Sequence, residues 1–285
     1  MTDTSISGTS VRMNAGTRIY LYVSLSLVAA LVLVPLLATA LGGFKSLGEL
    51  RVNPFGLPAQ WHWSNYLDIL FGDRYWRQMI NSLFIAIMTV FLTVVASAMA
   101  AFTLAHVKFF GAGQLLNYFL IGLMFPAATA ILPLFIRIRD LGLLDTYWGV
   151  ILPQVAFGLG MSILLFRNYF RNLPDELFQA AFVDGCGYIR FFWHISLPLS
   201  RPIIATVGII SFVNSWNSYI LPLIMLNTET KYPWPLGIMV YRGEFGTQWQ
   251  LVLAFITLTI LPTVIVFFLA QKHIIAGLTA GAVKG

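Results

Sequence analysis

The chain has 285 residues, of which 58% are hydrophobic and 10% are charged, with a mean hydropathy of +0.81. Soluble domains are about 45–50% apolar and about 25% charged, and a soluble globule cannot bury this much apolar side chain. The 17 Lys and Arg residues outnumber the 11 Asp and Glu residues, but they form no basic block. The composition excludes a soluble enzyme, a disordered tail and a nucleic-acid-binding module. It predicts an integral, all-α membrane protein.

Six apolar stretches are long enough to cross the bilayer, which takes about 20 residues of helix. The predicted spans are 19–41, 79–105, 115–136, 146–166, 202–226 and 251–271. Ala38-Thr39-Ala40 has the form of a signal-peptidase site, but the apolar run before it exceeds the about 7–15 residues of a signal core. This length favours a retained membrane anchor. No predicted span contains Asp, Glu, Lys, Arg or His, which disfavours an ion-coupled secondary transporter that works alone.

Prolines interrupt the middle of the protein: Pro126 and Pro133 in the third span, Pro153 in the fourth and Pro222 in the fifth. A proline lacks the backbone donor and clashes with the preceding turn, so these helices are expected to kink or break. Breaks at membrane depth are tolerated where a helix packs on others or lines a cavity. The prolines therefore indicate a translocation path.

The fifth span is the most polar. Ser211, Asn214, Ser215 and Ser218 follow the i, i+3, i+4, i+7 spacing of one helix face. Their amide and hydroxyl groups, beside Trp216, suit a neutral polyol, although such groups also hold membrane helices together. The substrate-path candidates are Ser211, Asn214, Ser215, Asn217, Ser218 and Tyr219.

The segment 171–201, between the fourth and fifth spans, is polar and contains glycines. Pro174 followed by Asp175-Glu176 predicts a helix start, and Gly185 with Gly187 permits a sharp reversal. A second short helix is expected over 188–195, ended by Leu197-Pro198. This helix–glycine–helix arrangement is typical of a docking element, and an amphipathic segment lying on the bilayer is the alternative.

The same segment carries a motif with long fixed gaps. It has Gln179-Ala180-Ala181, Asp184-Gly185, Ile195, Leu197 and Pro198, in the spacing EAA–x3–G–x9–I–x–L–P. This resembles the cytoplasmic loop of the permease subunits of type I binding-protein-dependent ABC importers. Every specified position agrees except the first, where Gln179 replaces glutamate and removes any salt bridge formed there. Further resemblance to the carbohydrate permeases of this class, of the maltose-transporter type, lies in Asn81-Ser82, in 211–223 and in 277–285.

The resemblance implies an all-α permease with six transmembrane helices in the bacterial inner membrane, with both termini cytoplasmic. The Lys and Arg residues divide almost equally between the two sides, so charge alone does not orient the chain. The implied regions are a cytoplasmic tail (1–18), the first helix (19–41), an extracytoplasmic loop (42–78), the permease core (79–271) with its coupling loop (171–201), and a cytoplasmic tail (272–285).

The implied function is transport of a sugar or oligosaccharide, without catalysis by this chain. The implied partners are a second, homologous permease, two ATPase subunits that use ATP and Mg, an extracytoplasmic solute-binding protein and membrane lipid, but no nucleic acid. This chain is expected to bind no cofactor, because it lacks a GxxxxGK[ST] phosphate loop. Its one cysteine, Cys186, and its scattered histidines offer no metal site.

Several alternatives stay open at this point. Within the same class, the solute could be glycerol phosphate, a polyol or a polyamine, although ionic solutes would be expected to need charged groups in the path. A membrane-embedded enzyme is disfavoured because no catalytic constellation is visible. The aromatic residues of 42–78, together with Trp234 and Trp249, are typical of a belt at the lipid head groups, and contact with the binding protein is the other interpretation.

Overall fold

A computed structural model describes residues 14–243 and 246–280. The described chain is mostly helical and forms two compact units: one extends to Tyr66 and includes Trp249–Thr257, and the other comprises Leu67–Gln248 and the residues from Leu258 onward. Residues 1–13 of the predicted N-terminal tail and 281–285 of the predicted C-terminal tail lie outside the described residues.

The first unit contains α1 (Ala15–Gly42) and α2 (Leu47–Val52). Most side chains of α1 are uncovered by the rest of the chain. Beyond α1 the backbone approaches other parts of the unit closely, and a Cβ on Gly43 would stand 2.9 Å from Cα of Ala254. Only glycine fits at this position, because real Cβ atoms do not approach other atoms so closely. Phe44 follows and packs against Trp61, Trp63 and Tyr66.

The remaining helices follow in chain order. They are α3 (Ser64–Leu70), α4 (Asp73–His106), α5 (Ala112–Met124), α6 (Ile131–Asp140), α7 (Trp148–Arg171), α8 (Asp175–Val183), α9 (Tyr188–Phe191), α10 (Leu197–Leu199), α11 (Arg201–Trp216), α12 (Ile220–Met225), α13 (Trp234–Gly237) and α14 (Trp249–Ala280). A π-helical turn, Phe192–Ser196, joins α9 to α10. The short strands β1 (Arg242–Gly243) and β2 (Gly246–Thr247) pair antiparallel, with Arg242 opposite Thr247.

The centre of the second unit is α4, which packs along α7 and α11. Small residues recur on its buried face: Ala86, Thr93, Ser97 and Ala101 are all fully buried. Small side chains let membrane helices approach closely, which explains why this long helix lies between two others. One apolar cluster lies around Phe102 and Phe166, and another lies around Ile85 and Val150.

Three helices are long and apolar enough to cross a membrane, namely α1, α4 and α7. Two further spans are possible if bent pairs are counted: α5 with Ala127–Asp140, at 95°, and Tyr188–Leu199 with α11, at 77°. The six predicted spans are therefore not confirmed, and the described residues support three to five. The sixth predicted span lies within α14, whose described apolar part is Trp249–Ile265.

The prolines act less uniformly than the sequence predicts. The third span does break, at Phe125-Pro126, and α11 ends before α12 begins. In contrast, α7 continues through Pro153 without a break. Pro133 and Pro222 each lie in the first turn of a helix, where the missing N–H would have no intrahelical partner in any case.

Candidate functional site

A cavity of about 320 Å³ lies between α4, α7 and α11, near the break that follows α11. Its described lining mixes amides and hydroxyls with apolar side chains and includes no charged residue. The polar lining residues are Thr89, Thr93, Gln154, Ser162, Ser211, Asn214, Ser215 and Ser218. A few polar groups in a mostly apolar cavity fix the orientation of a small ligand. This combination suits a neutral molecule with hydroxyl groups and C–H faces.

The structure brings four of the six substrate-path candidates to the cavity. Ser211, Asn214 and Ser215 reach it from α11, and Ser218 reaches it from the loop after the helix. The predicted single helix face is wrong for Ser218, because α11 ends at Trp216. The chain leaves the helix there and still returns Ser218 to the same cavity.

The other candidates lie elsewhere. The side-chain amide of Asn217 donates to the carbonyl of Val213 over 2.8 Å, and neither Asn217 nor Tyr219 is part of the described lining. Trp216 is buried and stacks on Phe212, with ring centroids 5.4 Å apart. Its ring therefore packs within the protein and does not face the cavity, in contrast to the expectation from its polar neighbours.

Gln154 connects the polar groups of the cavity and is not among the candidates predicted from the sequence. Its Oε1 accepts hydrogen bonds from Ser215 Oγ (2.6 Å) and Thr89 Oγ1 (3.1 Å), so the side chain links α7 to both α11 and α4. Among the described residues, its Nε2 has no partner, and neither has Oγ1 of Thr93. The signal in the sequence was an amide inside an apolar run, directly after Pro153.

The motif segment forms a compact hairpin between α7 and α11. Its first helix, α8, starts after Pro174 as predicted, and Gly185 has φ +75°. Cys186 N donates to the carbonyl of Ala181 (2.9 Å) and Gly185 N donates to that of Phe182 (3.0 Å). These two bonds form a Schellman motif, which places a left-handed residue, usually glycine, after the helix. The backbone at this turn therefore requires the glycine of the motif.

The motif residues divide between the base and the surface of the hairpin. Ala181 is buried, and Ile195 and Leu197 pack against the same apolar cluster. Gln179, Ala180, Asp184, Gly185 and Pro198 are exposed. A Cβ built on Gly185 meets no described atom within 4 Å, so this chain leaves open space at the tip of the hairpin.

Aromatic rings attach the base of the hairpin to α4. Phe178 stacks on His106 with centroids 5.2 Å apart, and it meets Phe191 edge to face at 4.9 Å. Phe192 packs on Phe102 at 5.1 Å. Since aromatic pairs of this kind stabilise beyond their buried area, α8 and α9 are held firmly against the end of α4.

The second half of the hairpin differs from the prediction at its end. Leu197-Pro198 does not end the helix, which continues through a π-helical turn into α10. The wider π-helical turn directly before Pro198 relieves the clash that a proline ring makes with the carbonyl four residues earlier. Tyr169 on α7 then donates its hydroxyl to the carbonyl of Leu199 over 2.7 Å.

At the other end of the second unit, Asp145 ties two loops together. Its carboxylate accepts from Lys231 Nζ (2.8 Å), from Thr228 Oγ1 (2.6 Å) and N (3.0 Å), and from Asn227 N (3.0 Å). The ammonium of Lys231, followed by the Thr228 and Asn227 donors, holds the pKa of Asp145 well below its usual value. Asp145 has φ +54°, a conformation that Asp tolerates better than most residues.

The predicted permease opening, Asn81-Ser82, lies at this same end. Asn81 donates its amide to the carbonyls of Thr230 (2.9 Å) and Tyr232 (3.0 Å) and accepts from Tyr147 Oη (2.8 Å). Ser82 Oγ accepts from Trp234 N over 2.8 Å. These bonds fix the loop after α12 on the first turns of α4. Within the described ranges, no group of His, Cys, Asp and Glu side chains is arranged to hold a metal ion.

A match to a known protein family identifies the family of this chain. The sequence profile of the binding-protein-dependent transport system inner membrane component matches residues 93–279, which include the cavity residues of α7 and α11 and the whole hairpin. The chain belongs to this family. It is thus a membrane component of an ABC transporter, and its family is that of a permease subunit without catalytic activity.

Two related permeases and a solved structure are similar to this chain over most of its length. The arabinooligosaccharides transport system permease protein AraQ of Halalkalibacterium halodurans is 35% identical, over 93% of this chain and 96% of that protein. The diacetylchitobiose uptake system permease protein NgcG of Streptomyces coelicolor is 32% identical, over 90% and 85%. A bacterial ABC transporter involved in the import of the acidic polysaccharide alginate has the same fold, with a TM-score of 0.79, 24% identity, and coverage of 91% and 98%.

Proposed function

We propose that this chain is the transmembrane permease subunit of an ATP-driven importer that moves a neutral sugar or oligosaccharide delivered by a solute-binding protein. Family membership supports the importer, and similarity to sugar permeases over most of the chain supports the class of solute. The observation that carries the proposal is the cavity, whose described lining offers amides and hydroxyls and no charged group.

Within this cavity, Gln154 is the residue proposed to bind the sugar together with Ser211, Asn214, Ser215 and Ser218. The Ser215 and Thr89 hydroxyls fix its side chain from two helices. An amide held in this way presents hydrogen-bonding groups without a large loss of side-chain entropy on binding. The apolar neighbours Phe157 and Leu221 would contact the C–H faces of the sugar ring.

The proposed assembly contains a second, homologous permease, two ATPase subunits and an extracytoplasmic binding protein. ATP and Mg would be bound by the ATPases, and this chain would bind no cofactor. The hairpin between α7 and α11 would face the cytoplasm, so that Asp145, Asn81 and the loop after α12 would face outward. Both termini would be cytoplasmic, with six spans in the inner membrane.

The proposed coupling contact is the tip of the hairpin. Gln179, Ala180, Asp184 and Gly185 are exposed there, while Ala181, Ile195 and Leu197 hold the base and Pro198 lies in the last turn. A partner ATPase that contacts the exposed tip would move α8, and the aromatic stack of Phe178 on His106 would transmit that movement to α4. Because α4 also lines the cavity, movement of α4 would couple ATP binding by the ATPases to access of the solute to the cavity.

Uptake by the whole complex tests the proposal. The partner permease, ATPases and binding protein are identified by copurification with the tagged chain, and all are co-expressed in a host that lacks sugar uptake of its own. Entry of labelled arabinotriose, diacetylchitobiose and an acidic alginate oligosaccharide is then measured. The proposal predicts ATP-dependent entry of a neutral sugar that requires the binding protein. Entry of only the acidic oligosaccharide would contradict the solute class, and entry without the ATPases would contradict the importer.

A further inference from the structure

A second, smaller pocket of about 230 Å³ opens beside the first turns of α4, at the same end of the unit as Asn81. Arg74 and Gln78 line it from α4, and Glu229 and Tyr232 line it from the loop after α12. Leu236, Met239 and Val240 complete the described lining. This outer pocket shares no described lining residue with the cavity around Gln154.

Gln78 is the feature of the outer pocket that the fold does not explain. The residue is only 3% exposed and lines the pocket, and its side chain is not tied to the loop after α12 as its neighbours Asn81 and Ser82 are. Asn81 and Ser82 lie one turn further along α4, and both hydrogen-bond to the loop after α12. The amide of Gln78 at the wall of the pocket can donate hydrogen bonds to a ligand and accept them from it.

The rest of the pocket indicates a neutral, hydroxylated ligand. Arg74 and Glu229 lie 3.9 Å apart at its rim, so their charges offset each other and neither cation nor anion is favoured. Both can still hydrogen-bond to hydroxyl groups. Leu236, Met239 and Val240 offer apolar contact. One amide, two charged groups of opposite sign and an apolar wall match the alternating hydroxyl and C–H surface of a sugar ring.

The position of the pocket connects it to the larger cavity. Gln78 and Thr89 are separated by three turns of α4, about 16 Å along the axis, and lie on nearly the same helix face. Gln78, Ser82, Thr89 and Thr93 form one buried polar line on α4. A solute bound at Gln78 would therefore stand at the outer end of the same line that leads to Gln154.

We propose that the outer pocket around Gln78 is a second sugar site, at which one sugar unit binds before it enters the cavity around Gln154. This inference rests on the proposed function, since the proposed orientation places the pocket on the side where the solute arrives. The site holds the sugar by the amide of Gln78 and by the Arg74–Glu229 pair. Its role is capture, and the residues around Gln154 are not needed for it.

Thiol labelling of the complete complex in membranes tests this site directly. A Val240→Cys variant, at a 38% exposed residue of the pocket wall, and a Phe71→Cys variant are made in a Cys186→Ala background, because Cys186 is the only cysteine of the chain. Phe71 is 83% exposed, precedes α4 and is absent from the pocket lining, so its variant is the matched control. A small methanethiosulfonate reagent is applied to complexes without the binding protein, in the presence of arabinotriose, diacetylchitobiose or no sugar. In a separate arm, sugar-free binding protein is added instead of sugar.

We expect the imported sugar to slow labelling of the Val240→Cys variant by about threefold or more, while labelling of the control is unaffected. A Gln78→Leu variant is expected to fold normally and to import that sugar about threefold to tenfold more slowly, the effect of losing one neutral hydrogen bond. Unchanged labelling by a sugar that the unmodified complex imports would overturn the site.

Two other outcomes are distinguishable. Protection of the introduced thiol by the sugar-free binding protein, but not by sugar, would overturn the sugar site and make the pocket a protein-docking contact. If the unmodified complex imports neither sugar, the proposed function fails first and the inference falls with it. Uptake by the unmodified complex therefore separates failure of the proposed function from failure of the outer site.

Discussion

The imidazole ring of His106 and the phenyl ring of Phe178 stack with centroids 5.2 Å apart and 13° between their planes. The pair joins the last residue of α4 to the middle of α8. Thirteen residues earlier on the same helix, Thr93 lines the cavity, about 20 Å away along the helix axis. One uninterrupted helix thus connects the hairpin to the proposed sugar site.

Loss of the stack between His106 and Phe178 is expected to uncouple ATP hydrolysis from sugar uptake. A Phe178→Ala variant lacks the ring contacts of Phe178 with His106, Phe182, Tyr188 and Phe191. We expect the partner ATPases to keep hydrolysing ATP while sugar uptake falls severalfold, because movement of α8 no longer reaches α4. Both rates are measured in proteoliposomes. Phe110→Ala, at a fully exposed phenylalanine, is the control, and equal loss of uptake in both variants would contradict the role of the stack.

Substitutions of Gly185 distinguish its role in the backbone turn after α8 from its proposed contact with the ATPase. Asn tolerates the left-handed conformation, and a side chain here meets no described atom of this chain. We therefore expect Gly185→Asn to keep the thermal stability of the purified chain but to abolish ATP-driven uptake, because the added atoms hold the hairpin away from the ATPase. Gly185→Asp is expected to have the same effects on thermal stability and on uptake.

The control for this experiment is Gly187→Ala, at a glycine of the same hairpin with an ordinary negative φ. That variant is expected to retain most of the uptake. Uptake at the unmodified rate by Gly185→Asn would show that the motif glycine serves the Schellman turn alone.

Gln154 is expected to contribute to sugar transport in addition to stabilising the fold through its hydrogen bonds. Gln154→Leu leaves the hydroxyls of Thr89 and Ser215 without their acceptor, which costs about 1–3 kcal/mol of stability. We expect uptake per folded complex to fall about tenfold, since the amide that meets the sugar is gone. Uptake and thermal stability are measured on the same preparations. Gln114→Leu, at an exposed position on α5, serves as the control. Unchanged uptake per folded Gln154→Leu complex would leave Gln154 a purely structural role.

The carboxylate of Asp145 is expected to make stability depend on pH at the acidic end. The folded-state pKa is lowered from the ordinary value of 3.8, so the stabilisation is complete above that value and is lost as the pH falls through the folded-state pKa. Asp145→Asn keeps a residue that tolerates positive φ but removes the charge, and it should lower the melting temperature at neutral pH. The difference from the unmodified chain should be constant above about pH 5 and shrink below about pH 4. A difference that grows on acidification would contradict this account.

The sequence predicts the hairpin well because its signals are local. Pro174 with two acidic residues starts α8, and Gly185 in the αL region ends it, and both depend only on neighbouring residues. The cavity is harder to predict, because it depends on the packing of three helices. Ser211, Asn214 and Ser215 follow from one helix face, whereas Gln154 becomes visible only when α4 and α11 bring Thr89 and Ser215 to its side chain. Ser218 is predicted for the wrong reason, since it lies beyond the end of α11.

The number of spans shows the same difference between local and long-range information. Hydropathy finds apolar stretches, but a 95° bend between α5 and Ala127–Asp140 depends on what packs around Pro126. Pro153 illustrates the converse, because α7 passes through it without interruption. Composition alone treats both prolines alike.

Sugar transport by the purified complex in proteoliposomes tests the central claim most directly. The chain, its permease partner and the ATPases are reconstituted with ATP inside and with loaded binding protein and labelled arabinotriose or diacetylchitobiose outside. The account predicts accumulation of one neutral sugar that stops without ATP or without binding protein, and that falls about tenfold in the Gln154→Leu complex. Accumulation of neither sugar by a complex that hydrolyses ATP in response to its binding protein would contradict it.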